Sequence, residues 1–230
     1  GHRALHVFRE LVFGAVEHQP GRQQEHRRRD GGDGEGGRAG DVAAQQHVNK
    51  RVVADLPEAH KKAMDQFMHS PMMLVNVAVR NWKFMDKLGI GSIRWFDDDL
   101  GWFTTLRRQM VLDGKEPMPL DPEKPTVLTL YNSFCIPGLP VEQQAVAARM
   151  KMFSLSYADV EKKVREQFTK MFAAGGFDAD RDIAGITINR QGHAYVVTPP
   201  GFFFGVDGKP APSDIIRQKH GRIAFAHAEL

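Results

Sequence analysis

Alternation of apolar and polar residues marks two strands in the middle of the chain. In LVNVAVRNW, Val75, Val77 and Val79 fall on one side, which predicts a strand over Leu74–Trp82. The run PTVLTLYNSF, rich in β-branched and aromatic residues, predicts a second over Pro125–Phe134. Shorter strands are expected over Ile93–Phe96 and Trp102–Leu106, on either side of a turn at Asp97–Asp99. The period then changes. Tyr157, Val160, Val164, Phe168, Met171 and Phe172 share one helical face, with Ser156 and Asp159 placed as a capping box and Gly175-Gly176 as the stop. Helices are also expected from Pro57 to about Met68, over Val141–Met152 and over Ser213–His220. Strands are expected over Ile183–Asn189, Ala194–Thr198 and Arg222–Ala228. The mixed order predicts an α+β fold.

Residues 1–50 do not follow this pattern. They contain the tract EHRRRDGGDGEGGRAGD and no aromatic residue after Phe13. Arg27–Arg29 suggest a nucleic-acid arm, but the segment's basic and acidic side chains nearly cancel. His2, His6, His18 and His26 fall on no credible helix at ligand spacing. Two readings of this composition stay open: a disordered polar segment, or coding sequence read one base out of frame.

The rest of the composition narrows the class. The 230 residues are 42% hydrophobic and 26% charged, with 31 basic against 28 acidic side chains, so neither a nucleic-acid nor a membrane-surface partner is indicated. No apolar run reaches the roughly 18 residues of a membrane span. The single cysteine, Cys135, excludes an intrachain disulfide and reads as a small buried hydrophobe. Asp178, Asp180 and Asp182 start like a calcium loop, but Ile183 and Asn189 stand where Gly and Glu are required. No metal site is expected. No GxGxxG, GxSxG, HExxH or P-loop pattern occurs. Trp82, Trp95 and Trp102 read as core or sheet residues.

Five segments in order carry a family resemblance: DLPEAHKKAM, LVNVAVRNWKFMDKLGI, PGLPVEQQAVAARMKM, GGFDADRDIAGITINRQGHAY and HGRIAFAHAEL. Together they resemble the flavin-dependent amine oxidoreductases, and among these the spermidine dehydrogenase-like group. The resemblance implies a mixed-sheet substrate domain over 51–220 and, over 221–230, the terminal strand of an incomplete Rossmann-like FAD domain. It also implies that the glycine-rich pyrophosphate loop and the glycine-led turn after the last strand lie outside this sequence. The chain is then a piece of a flavoenzyme and holds FAD poorly by itself.

By the same resemblance, Glu229 falls beside the flavin, with His227, Ala228 and Leu230 as its neighbours in the cofactor site. His193 and Tyr195, in NRQGHAY, are the expected substrate-binding residues, and the partner is a small amine. Two readings of that pair stay open: a substrate wall, or a strand-packed Tyr195 beside a His193 in an exposed turn. Gln191-Gly192 replaces the Trp-Pro usual in relatives, and PPGFFFG at 199–205 replaces a Trp-containing stretch, so a polyamine, a different amine and a non-amine substrate all stay open. The alternative is a non-catalytic α+β binding module with a polar arm.

Overall fold

A computed structural model describes residues 40–42, 46–96, 100–107, 119–227 and 229–230. His2, His6, His18, His26, Arg27–Arg29, Asp97–Asp99 and Ala228 lie outside them. The described residues fall into two compact units, one over Ser70–Ala194 and one combining residues up to His69 with Tyr195–Leu230.

The first unit is built on an antiparallel sheet of order β3-β4-β5-β2-β6. Its strands are β2 (His69–Val79), β3 (Ser92–Arg94), β4 (Phe103–Leu106), β5 (Thr126–Ser133) and β6 (Ile183–Val196). Strand β2 faces β5 in unbroken register from Met72↔Ser133 to Val79↔Thr126. On its other edge, Arg80 N–H donates to Asp182 O and Val197 N–H to Met68 O, which makes the β2–β6 pair antiparallel. The sheet is therefore antiparallel where a mixed one was expected. Parallel pairing occurs in a separate two-stranded sheet, β1 (Gly40–Val42) with β7 (Ile223–Phe225).

One face of the large sheet is closed by helix. Val75, Val77, Val79, Leu128 and Leu130 are fully buried against Val160, Val164, Phe168 and Phe172 of α5 (Tyr157–Phe172). The capping box forms as expected, with Asp159 N–H donating to Ser156 Oγ and Ser156 N–H to Asp159 Oδ2. Gly176, at φ 91°, supplies the left-handed stop after one 3-10 turn over Ala173–Gly175. A Cβ on Gly175 would lie 2.3 Å from Phe84 O, so α5 can reach α3 (Lys83–Lys87) only with glycine there. The rings of Phe84, Phe168, Phe172 and Phe177 then pack edge-on or tilted, 4.8–6.1 Å apart. Gln167, also fully buried, accepts from Leu100 and Gly101 N–H and donates to Gly101 O. It satisfies a stretch of backbone that enters no ladder.

Several elements differ from expectation for local reasons. Strand β2 starts at His69, since Pro71 precedes the paired register with β5 and costs it no ladder bond. Strand β6 runs unbroken through Gly192. The missing side chain there lets Arg149 and Phe153 of α4 (Val141–Ser154) approach, and Arg149 Nη1 donates to Gly192 O at 2.7 Å. Cys135 is exposed, because it follows buried Phe134 just past the end of β5 and turns outward. Trp82 is buried, whereas Trp102 is more exposed than a core residue. Asp178 caps α6 (Ala179–Asp182) by accepting from Asp180 and Arg181 N–H.

The second unit gathers Val53, Leu56, Met64, Phe67, Phe202, Ile216 and Phe225 into its own core. They come from α2 (Glu58–Met64), α7 (Pro212–Ile216), β7 and the connecting turns, Val53 directly following α1 (Gln46–Val52). The polar segment expected over 1–50 thus ends inside the fold. Gln46 and Asn49 of α1 are fully buried, and Asn49 Nδ2 donates to Gln46 Oε1. Among the described residues, no helix is long and apolar enough to cross a membrane.

Two outcomes test this account. Phe168→Ala should lower the unfolding free energy by about 3–5 kcal/mol, read from urea denaturation, because its ring fills the centre of the first core. Asp182, its carboxylate only 2% exposed, is held by Arg181 Nε and Nη2 and by Asp178 N–H. The Arg181 guanidinium, aided by that N–H, keeps its pKa below the ordinary carboxylate value. A depressed folded pKa gives stability that is present above the unfolded value and lost as pH falls through the folded one. Urea midpoints should accordingly fall between pH 5 and pH 3, and fall less in Asp182→Asn.

Candidate functional site

A buried imidazole and a carboxylate form a close polar pair in the second unit. His69, the first residue of β2, is 3% exposed, and its Nε2 lies 2.9 Å from both carboxylate oxygens of Glu229. An ionised carboxylate only accepts, so Nε2 carries the proton and donates. Glu229 N–H donates to His227 Nδ1 at 3.3 Å, which fixes the Nδ1 lone pair toward the backbone. His227 Nδ1 is also 3.4 Å from Glu229 Oε2, so the His227 ring lies along the carboxylate. The His47 ring meets that of His69 edge-on, with centroids 6.1 Å apart. Leu230 N–H donates to His227 O, and the Leu230 side chain packs on the second core.

This arrangement fixes a carboxylate. Among the described residues, no group of three His, Cys, Asp or Glu side chains is placed to hold a metal ion. The Glu229 side chain keeps 13% of its surface exposed. With His69 taking one donor position, its remaining lone pairs can accept from a ligand N–H or O–H.

His193 and Tyr195 stand elsewhere, on the long strand β6. They are two residues apart and therefore project to one side, together with Asn189 and Gln191. All four are exposed, Tyr195 by 58%. The alternate residues, Arg190 and Gly192, turn the other way: Arg190 Nη2 donates to Leu155 O, and Gly192 meets α4. His193 is thus in a strand rather than a turn, and Tyr195 is not packed away.

Of the residues expected at a cofactor, the structure brings His227, Glu229 and Leu230 together. It adds His69 and His47, which the sequence did not single out. Only the pattern HSPMMLVNV pointed to His69, as the head of an apolar run, and Pro71 obscured it. An open depression of about 770 Å³ lined by Trp82, Asp86, Ile90 and Leu106 contains none of these residues.

No protein-family model and no curated protein matches the chain. Solved structures do. A cyclohexylamine oxidase from Brevibacterium oxydans IH-35A matches with a TM-score of 0.51 at 13% identity, over 82% of this chain and 36% of that one. A putrescine oxidase redesigned for cofactor binding matches with a TM-score of 0.48 at 12% identity, over 81% of this chain and 36% of that one. This chain therefore spans about a third of the length of these proteins. At such identity the likeness is one of fold alone, shared with about a third of the cyclohexylamine oxidase.

The His69–Glu229 contact has a measurable strength. A double-mutant cycle with His69→Ala and Glu229→Gln, read by urea unfolding, should give a coupling of about 1–3 kcal/mol. A coupling near zero would mean that the pair does not form in solution.

Proposed function

We propose that this chain is part of an FAD-dependent oxidoreductase that oxidises a small amine, in which Glu229 contacts the flavin and His193 and Tyr195 face the substrate. One observation carries the reading: the ordered sequence segments resemble amine-oxidising flavoenzymes, and a fold similar to part of a cyclohexylamine oxidase supports it. The parallel β1–β7 pair supports a further part of it. Parallel strands need a long crossover connection and are the building unit of Rossmann-like sheets, so β7 suits the last strand of a cofactor domain. On this reading the substrate domain extends over 51–220 and the cofactor strand over 221–230.

The chain's own residues meet only part of what FAD requires. Glu229, held from behind by His69, is a fixed acceptor suited to an N–H of the flavin ring. The pyrophosphate needs several amide donors at a glycine-rich turn and a helix N-terminus, and no GxGxxG pattern stands in the 230 residues. These residues do not by themselves fit the whole dinucleotide.

What this chain contributes is placement. His69 keeps Glu229 in one rotamer and so keeps its acceptor oxygens aimed one way. The exposed face of β6 offers an imidazole and a phenol within one strand repeat, suited to flanking a small amine and excluding water from it. An ammonium would be attracted to the Tyr195 ring. The amine must nonetheless lose its proton before the adjacent carbon can be oxidised.

The test starts with the gene. The reading frame containing this chain should continue into codons for a strand, a GxGxxG loop and a helix. The polypeptide it encodes should purify with flavin absorbance near 450 nm that bleaches on anaerobic addition of cyclohexylamine or putrescine. Tyr195→Ala should slow that bleaching by about tenfold or more if the ring orients the substrate. A frame closed on both sides of residues 1–230, with no flavin retained, would refute the proposal and leave the binding module as the better reading.

A further inference from the structure

The face of the large sheet turned away from α5 carries chemistry that the proposed function does not use. Strand register brings its residues together. Arg94, Phe103 and Tyr131 lie directly opposite one another across β3, β4 and β5, and Ser92, Thr105 and Thr129 form the next row. Thr129 in turn faces Asn76 of β2. The aromatic rings form a chain, with Trp102 5.7 Å from Phe103 and Phe103 5.6 Å from Tyr131. A guanidinium stands at each end. Arg94 lies 5.0 Å from the Trp102 ring and 5.2 Å from the Phe103 ring, and Arg107 lies 5.9 Å from the Tyr131 ring.

Arg107 is held in one orientation. Its Nε–H donates to Thr129 Oγ1 at 2.7 Å and its Nη2 to Tyr131 Oη at 3.1 Å. The Thr129 hydroxyl, fully buried, donates onward to Asn76 Oδ1 at 2.8 Å. Two of the five guanidinium N–H groups are used in this way, and three remain on an exposed side chain. Among the described residues, no carboxylate pairs with Arg94 or Arg107. A surface arginine ordinarily loses much rotamer freedom when it grips an anion; here that ordering is already done by Thr129 and Tyr131.

We propose that this face binds a small planar anion, an aryl carboxylate, with Arg107 gripping the carboxylate and the Phe103–Tyr131 row taking the ring. The chemistry favours that class over its competitors. Two guanidinium groups repel a cationic amine. Inorganic phosphate would satisfy the fork but make no use of the aromatic row. The site lies wholly within one unit and stands whether or not the chain belongs to a flavoenzyme.

The test is binding to the purified 230-residue chain, followed by tryptophan fluorescence, with benzoate as the probe and benzylamine and inorganic phosphate beside it. Benzoate should bind saturably, and the other two at least about tenfold more weakly. Arg107→Gln should weaken benzoate binding by about tenfold, and Arg107→Lys should not restore it, because an ammonium lacks the planar fork. Arg94→Gln, at an exposed position where folding is not at stake, should weaken it several-fold. The proposal is overturned if benzoate does not bind, if benzylamine or phosphate binds as tightly, or if neither arginine variant alters its affinity.

Discussion

Strand β2 is the element on which the rest of the structure depends. Its backbone is paired along both edges, with β5 on one side and β6 on the other. A buried amide or carbonyl that loses its partner has no water to turn to, so neither ladder can slip without a large cost. A shift by one residue would also exchange its two faces. Val75, Val77 and Val79 would leave the core, and Asn76 would leave Thr129. The register therefore fixes two things at once: the apolar contact with α5, and the polar chain that orients Arg107.

Polar side chains in this protein mostly act on the backbone or on one another, and seldom at random. Gln167 satisfies the irregular segment at Leu100–Gly101, and Arg149 reaches the backbone of β6 at Gly192. Asp182, with Arg181, closes the tight turn before β6. His69 is the same device applied to a chain end, since it takes up the carboxylate of Glu229. A nearly buried carboxylate without a donor would be costly, so the imidazole is what allows Glu229 to sit there.

Local signals were legible in the sequence where structure is decided locally. The helix from Tyr157 was read correctly because its cap, its apolar face and its glycine stop all lie within twenty residues of one another. Strands β4 and β5 were legible for the same reason. The errors came where a distant contact overrides a local one. Gly192 looked like a break, yet it lies inside a strand because α4 needs the space above it. The strand expected from Leu74 starts instead at His69, since Pro71 falls outside the ladder with β5. Gln46 and Asn49 looked like part of a solvated tract and are buried. At the candidate site, His227 and Glu229 were named through family resemblance alone. The contact of Glu229 with His69 spans 160 positions, and no spacing rule could have found it.

The arginine face shows a further limit of reading charge from composition. With 31 basic and 28 acidic residues, the net charge of +3 indicated no anionic partner. A total of that kind averages over the whole surface, whereas recognition depends on where a few charges are held. Arg94 and Arg107 are thirteen positions apart, and Tyr131 is twenty-four beyond Arg107. Antiparallel pairing of three short strands brings them to one face and places aromatic rings between them. Among the described residues, a weakly charged chain in this way holds two guanidinium groups beside one aromatic row. The hydrogen bonds of Arg107 to Thr129 and Tyr131 make that face directional as well as charged. Directional donors over a flat apolar row select for shape as much as for sign, and selection of that kind is invisible until the strands are paired.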